Sequence, residues 1–166
     1  MFFNENIPIS LTELSSKLNI KHICGLNNKI TLQETYKRLN FSHEVIEFSH
    51  HMNKLYDWAD IIISRAGSMT LSEISASGRA SILIPYRYAS DNHQFINAKY
   101  LEDNKASVVI QENEKFNDKM DKAVDFLLDA DLDNSLIYPW AKKNKSAFGD
   151  YKKQIVDHPT YSWVPA

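Results

Sequence analysis

Small and hydroxyl-bearing side chains follow a continuously apolar run in residues 61–78, which read IIISRAGSMTLSEISASG. A buried strand, a small-residue turn and a helix can bind phosphate, because the first N–H groups of a helix have no partner inside it. Gly67 lets the backbone turn sharply and approach a ligand closely. Ser68 and Thr70 can donate to phosphate oxygens. The alternative interpretation is that Ser68 or Thr70 is the N-cap of an ordinary strand-to-helix turn.

An acidic residue, Glu73, follows Thr70 by three positions. Residues three apart share a helix face, and helical side chains lean toward the N-terminus, so this carboxylate can reach toward the turn. It is placed to accept hydrogen bonds from the two hydroxyls of a ribose, as the acidic residue of dinucleotide-binding folds does. The alternative is a carboxylate that stabilises the helix through its dipole or a capping box.

A second polar cluster lies in residues 85–97, PYRYASDNHQFIN, between the next predicted strand and the next helix. Asp91, Asn92, His93 and Gln94 provide donors and acceptors suited to the hydroxyls of a sugar. Ligands of parallel α/β sheets bind at the edge formed by the carboxyl ends of the strands, so both clusters are expected there. The alternative is an Asx-type cap with solvated neighbours.

The elements that must position these clusters are short apolar runs alternating with amphipathic stretches. Residues 61–63 and 82–84 are continuously apolar, which is typical of parallel strands covered by helices on both faces. The pattern predicts an α/β, Rossmann-like fold. Predicted strands cover residues 20–24, 45–48, 61–64, 81–85 and 106–110, and predicted helices cover 11–18, 31–39, 52–59, 70–77, 94–104, 117–128 and 135–148.

The two ends of the chain depart from this alternation. No strand is predicted before the helix at 11–18, so the sheet is expected to lack the first, central strand of a doubly wound fold and the glycine-rich turn behind it. No strand is predicted after Ile110 either. We therefore expect an α/β domain over residues 1–148 and a C-terminal tail over 149–166, of which the last stretch, 157–166, is expected to be loosely held or docked on another surface.

Composition restricts the class of protein. With 19 Lys and Arg against 21 Asp and Glu, the net charge of −2 disfavours nucleic acid as a partner. The single cysteine, Cys24, favours a reducing cytoplasm. No run approaches the roughly 20 apolar residues of a membrane span, so a soluble or at most peripheral chain is expected. Two adjacent histidines, His50 and His51, lack a third ligand at suitable spacing, so no metal and no cofactor are expected.

Together, the two segments ADIIISRAGSMTLSEISASG and LIPYRYASDNHQFINAKYLEDNKAS resemble, in order and spacing, the C-terminal domain of the MurG-type glycosyltransferases. These UDP-N-acetylglucosamine:N-acetylmuramyl-(pentapeptide) pyrophosphoryl-undecaprenol N-acetylglucosamine transferases make a lipid-linked peptidoglycan precursor. The likeness extends more weakly from Asn4 to Phe148. Residues 6–8 resemble the helix after the family's glycine-rich donor loop.

The resemblance implies the C-terminal, donor-binding half of a glycosyltransferase B fold, with Ser68, Met69 and Thr70 against the donor diphosphate and Gly67 in the turn. It implies that Glu73 holds the ribose hydroxyls. The resemblance also implies that His93 and Gln94 contact N-acetylglucosamine. Arg65 occupies the family's strand-to-turn position and is included among the predicted substrate-binding residues. The family usually has proline where this chain has Ala80, and often Gln-Gln or His-Gln at 93–94.

In the family, acceptor binding and the candidate general base belong to an N-terminal domain, so no catalytic residue is assigned here. The resemblance implies UDP-N-acetylglucosamine as donor and a lipid-linked acceptor bound by that other domain. It leaves open a separate partner chain and peripheral association with the inner face of the plasma membrane. Two alternatives remain: a non-catalytic remnant, and a fragment of a nucleotide-sugar epimerase or hydrolase.

Overall fold

A computed structural model describes residues 2–89, 92–104, 106–113 and 115–129, and the backbone of 153–158. Its helices and strands alternate along the chain as βαβ units require. A 3₁₀ helix, Thr12–Lys17, separates the first α-helix from the first strand. The elements are α1 (Phe2–Ser10), β1 (Leu18–Ile23), α2 (Lys29–Arg38), β2 (Ser42–Ile46), α3 (Met52–Trp58), β3 (Ile61–Ser64), α4 (Ser68–Ser77), β4 (Ala80–Leu83), α5 (His93–Asp103), β5 (Val108–Val109), α6 (Phe116–Asp129) and β6 (Lys153–His158).

The strands form one six-stranded sheet in the order β2-β1-β6-β3-β4-β5. Every described pairing is parallel. The strand β6 lies in the middle of the sheet, where Ile155 is in register with Ile20 of β1 on one side and with Ile61 of β3 on the other. All the turns that follow the strands therefore lie at one edge, the carboxyl edge of the sheet.

Helices cover both faces of the sheet. One hydrophobic core includes residues of α1, α2 and α6 together with Ile61 and Ile63 of β3. The other includes residues of α3, α4 and α5 together with Ile62. Successive strand residues point to opposite faces, and both faces are buried, so β3 has to be apolar at each of these three positions. The predicted α/β, Rossmann-like fold is confirmed.

Two predictions at the ends of the chain are wrong. A strand does follow Ile110, because β6 forms within the predicted tail and pairs in the centre of the sheet. Its position is the one that the first strand occupies in the doubly wound order 3-2-1-4-5-6. The predicted helix over 11–18 is a 3₁₀ helix that ends as β1 begins, and an α-helix precedes it at Phe2–Ser10.

The remaining described elements agree with the sequence in type and order, and their boundaries shift by a few residues. The largest shift is at β2, which begins at Ser42, three residues before the predicted start. Within the part of the chain that the structure describes, no strand precedes α1. The predicted helix over 135–148 lies outside the described residues. The boundary between a domain and a tail at residues 148 and 149 stays a prediction. None of the described helices is long and apolar enough to cross a membrane.

A buried polar network joins α1, β1 and α2. The His22 ring is fully buried, with Nδ1 2.8 Å from the Tyr36 hydroxyl and Nε2 2.9 Å from Oδ1 of Asn4. Because Oδ1 of Asn4 only accepts hydrogen bonds, this geometry places the imidazole proton on Nε2 and lets the Tyr36 hydroxyl donate to Nδ1. Burial disfavours the charged ring and lowers the pKa of His22 to about 3. The network therefore requires a neutral histidine.

Candidate functional site

The first candidate site element is the turn from β3 into α4. The backbone of Gly67, the residue before the helix, is extended, with φ −69° and ψ 143°, and no side chain caps the helix. The alternative of a Ser68 or Thr70 N-cap is therefore wrong. The carbonyl of Gly67 accepts the first helical hydrogen bond, from the N–H of Leu71. Among the residues that the structure describes, none accepts a hydrogen bond from the N–H groups of the first turn of α4, so these groups can meet an external acceptor.

The residues of this first turn differ in exposure. Ser68 and Met69 are exposed, and Met69 is 78% accessible, whereas Thr70 is buried. Any residue can adopt the backbone angles of Gly67. A glycine is therefore needed at this position only if a ligand or a neighbouring group lies where a Cβ atom would be. Gly78, at the other end of α4, does need glycine, because it ends the helix with φ 63°.

Glu73 lies on the exposed surface of α4, in the second turn of the helix. Its Oε2 accepts a hydrogen bond of 2.9 Å from the hydroxyl of Tyr56 on α3. The other carboxylate oxygen accepts no hydrogen bond from the residues that the structure describes. Burial raises the pKa of Tyr56, and the hydrogen bond and charge of Glu73 raise it further, so Tyr56 remains a donor.

A depression of about 320 Å³ lies between α3 and α4 beside this pair. Its walls combine an apolar side chain, Met52, with polar groups that include Asn53 and Glu73. A concave surface with a few polar groups is the usual form of a small-molecule site. The depression lies on the face of the sheet that α3, α4 and α5 cover.

Arg65 differs from the other predicted ligand residues because its charge is used inside the protein. The guanidinium forms an ion pair with Glu112, and Nη1 donates to the carbonyl of Ile84 at 3.2 Å. Its Cζ lies 4.5 Å from the Phe3 ring centroid and 5.3 Å from that of Tyr86. The Arg65 and Glu112 side chains are only 11% and 8% exposed. Through these contacts Arg65 links the residues that follow β3 and β4 to α1. A direct contact between Arg65 and a ligand stays a prediction.

The second cluster lies at the start of α5. Asn92 precedes the helix in the left-handed conformation, with φ 57°, and makes no side-chain cap. His93 is exposed and Gln94 half-buried. Oε1 of Gln94 accepts a hydrogen bond of 3.0 Å from the N–H of Tyr86, which fixes the turn after β4 against α5. Asp91 lies outside the described residues.

Both clusters therefore follow neighbouring strands at the carboxyl edge of one sheet, as the sequence predicts. The sequence reasoning missed Tyr56 and Glu112, the partners of two predicted site residues. Tyr56 is 17 positions from Glu73, so no helical spacing connects them. The only sequence signal for Tyr56 is a tyrosine in the amphipathic pattern of α3.

The parallel sheet, the helices on both faces and the edge that carries both clusters define a Rossmann-like α/β domain. Residues 1–155 match the family model of the glycosyltransferase family 28 C-terminal domain. The chain belongs to this family.

Similar proteins agree with this assignment. The chain is 37% identical over 136 residues to a UDP-N-acetylglucosamine–N-acetylmuramyl-(pentapeptide) pyrophosphoryl-undecaprenol N-acetylglucosamine transferase of Rickettsia prowazekii, covering 78% of this chain and 35% of that protein. It is 35% identical over 111 residues to the transferase of the same name from Aeromonas hydrophila, covering 67% and 31%. The crystal structure of Acinetobacter baumannii MurG superposes with a TM-score of 0.72 at 30% identity, covering 92% of this chain and 42% of that one. The chain thus spans between about a third and two fifths of the length of these proteins.

Proposed function

We propose that this chain binds UDP-N-acetylglucosamine and forms the donor half of an enzyme that adds N-acetylglucosamine to a lipid-linked muramyl-pentapeptide. The observation that carries this proposal is the uncapped first turn of α4, which follows a fully buried strand at the carboxyl edge of the sheet. Its free N–H groups and the positive end of its dipole favour a diphosphate at that position. The relatives' names supply the identity of the donor and the acceptor.

In this proposal Ser68, Met69 and Thr70 lie against the diphosphate, and Glu73 holds the ribose hydroxyls. The exposure of Glu73 supports its role in binding the ribose, as does its Oε1 atom, which accepts no hydrogen bond from the described residues. His93 and Gln94 contact the sugar from the start of α5. The reaction is an attack by an acceptor hydroxyl on the anomeric carbon with inversion, in which the helix N-terminus stabilises the departing diphosphate.

In this proposal the acceptor and its general base belong to the part of the relatives that this chain does not match. This chain alone is therefore expected to bind donor without transferring sugar, and activity requires an N-terminal domain in the same or a separate polypeptide. We place the assembled enzyme peripherally on the inner face of the plasma membrane, because its acceptor is lipid-linked.

Titration calorimetry on the full chain tests donor binding. We expect UDP-N-acetylglucosamine to bind more tightly than ADP-glucose, and no preference between them would contradict the proposal. The Glu73→Gln variant should lose roughly 10- to 100-fold in affinity, because a hydrogen bond to a charged group contributes about 1.5–3 kcal/mol. The matched control is Glu34→Gln, an exposed carboxylate on α2 across the sheet, which should bind as the unchanged chain does.

Product analysis tests the acceptor. With an added N-terminal domain from a relative, UDP release should depend on the lipid-linked acceptor. Release of UDP or free sugar without acceptor would instead favour an epimerase or hydrolase.

A further inference from the structure

The contact between Tyr56 and Glu73 joins two helices at the candidate ribose site. Tyr56 is 3% exposed and packs in the core beneath α3 and α4, whereas Glu73 is on the surface. The buried tyrosine ring is held by its neighbours, so its hydroxyl is a fixed donor. A surface glutamate is otherwise free to adopt several side-chain conformations, and ordering it costs conformational entropy.

We propose that Tyr56 is a positioning residue that holds one oxygen of the Glu73 carboxylate so that the other oxygen can accept from the ribose hydroxyls of the donor. This inference rests on the proposed function.

The geometry supports different roles for the two carboxylate oxygens of Glu73, one that accepts from Tyr56 and one that can accept from a ligand. Oε2 of Glu73 takes the 2.9 Å hydrogen bond from Tyr56, and Oε1 takes none from the described residues. A carboxylate has about four acceptor sites, so one hydrogen bond does not exhaust it. The same pair forms part of the wall of the depression between α3 and α4, where Met52 and Asn53 also lie. A ligand seated there would meet a carboxylate already oriented before binding.

The test compares UDP with 2′-deoxy-UDP, which differ only in one ribose hydroxyl. In the unchanged chain we expect UDP to bind roughly tenfold more tightly, which is the effect of one hydrogen bond to a charged group. In Tyr56→Phe we expect this ratio to fall at least about threefold, because Glu73 must be ordered at the moment of binding. The affinity for 2′-deoxy-UDP should change much less. General damage to the fold would instead weaken both ligands equally and leave the ratio unchanged.

The matched control is Tyr36→Phe. Tyr36 is also a fully buried tyrosine with a hydroxyl hydrogen bond, 2.8 Å from His22, but it belongs to the core on the other face of the sheet. Thermal unfolding should show a loss of stability in both variants, whereas only Tyr56→Phe should change the ligand ratio.

The outcomes separate this inference from the proposed function. No binding of UDP to the unchanged chain overturns both. A ratio near one in the unchanged chain removes the ribose role of Glu73, and the inference with it, but leaves diphosphate binding. A tenfold ratio that Tyr56→Phe does not alter overturns the positioning role alone. If Tyr56→Phe does not fold, a slowly exchanging Tyr56 hydroxyl proton in the NMR spectrum of the UDP complex supports the inference, and a rapidly exchanging one overturns it.

Discussion

Acidification should destabilise this domain through one histidine. His22 is fully buried between Tyr36 and Asn4, and burial lowers its pKa to about 3, against 6.5 as its ordinary value. As the pH falls below about 6.5, the unfolded chain takes up a proton at this position and the folded chain does not. The free energy of unfolding therefore falls with decreasing pH in the window between about 6.5 and 3, and His22 adds no pH dependence above it.

The magnitude follows from the size of the shift. Each pH unit within the window costs at most about 1.4 kcal/mol, so at pH 5 the loss from His22 is about 2 kcal/mol relative to pH 7. The assay is urea unfolding at both pH values, for the unchanged chain and for His22→Gln. Gln keeps donor and acceptor groups but does not titrate, so its loss between the two pH values should be smaller by about that amount.

A control variant, His43→Gln, makes the same exchange at a half-buried histidine on β2. Equal pH dependence in the unchanged chain and in His22→Gln would refute the reasoning. Protonation of carboxylates also lowers the free energy of unfolding in acid. The same carboxylates are present in all three chains, so their contribution cancels in the comparison.

Three further changes test the account of the fold. Glu112→Gln leaves the buried Arg65 without its charge partner and should cost about 3–5 kcal/mol by thermal or urea unfolding; a loss below about 1 kcal/mol would mean that the pair is solvated. Gly78→Ala places a Cβ at a residue with φ 63° and should cost about 1–2 kcal/mol, again by urea unfolding; an unchanged midpoint would contradict the left-handed end of α4. Ile155→Pro removes a backbone N–H from the central strand β6 and should cost several kcal/mol or abolish cooperative unfolding, and unaltered stability would show that β6 is not in the sheet.

Local features of the sequence were sufficient for the elements that carry the first cluster. Three consecutive isoleucines require burial on both faces, so β3 is found at its predicted bounds, Ile61–Ser64. Gly78 ends α4 for a reason confined to its own backbone, its positive φ. The burial of β3 and the end of α4 each depend on only a few neighbouring residues, so both can be predicted from the types and spacing of those residues.

Features that depend on distant parts of the chain were not predictable in the same way. The segment of β6, KQIVDH, has no clear strand pattern, and its place in the sheet depends on the space between β1 and β3. The partner of Glu73 is Tyr56 on α3, and the partner of Arg65 is Glu112 in the loop between β5 and α6, so both are distant in sequence. Sequence reasoning therefore identified candidate ligand residues without showing that Arg65 is engaged inside the protein.

The proposed function depends on a nucleotide diphosphate binding at the N-terminus of α4. The most direct measurement is the change in backbone amide NMR shifts when UDP, and separately uridine, is added to the full chain. We expect UDP to cause its largest changes at Ser68, Met69 and Thr70, and uridine, which lacks phosphate, to leave these amides nearly unchanged. Changes of equal size with both ligands, or with UDP only at residues away from α4, would contradict it.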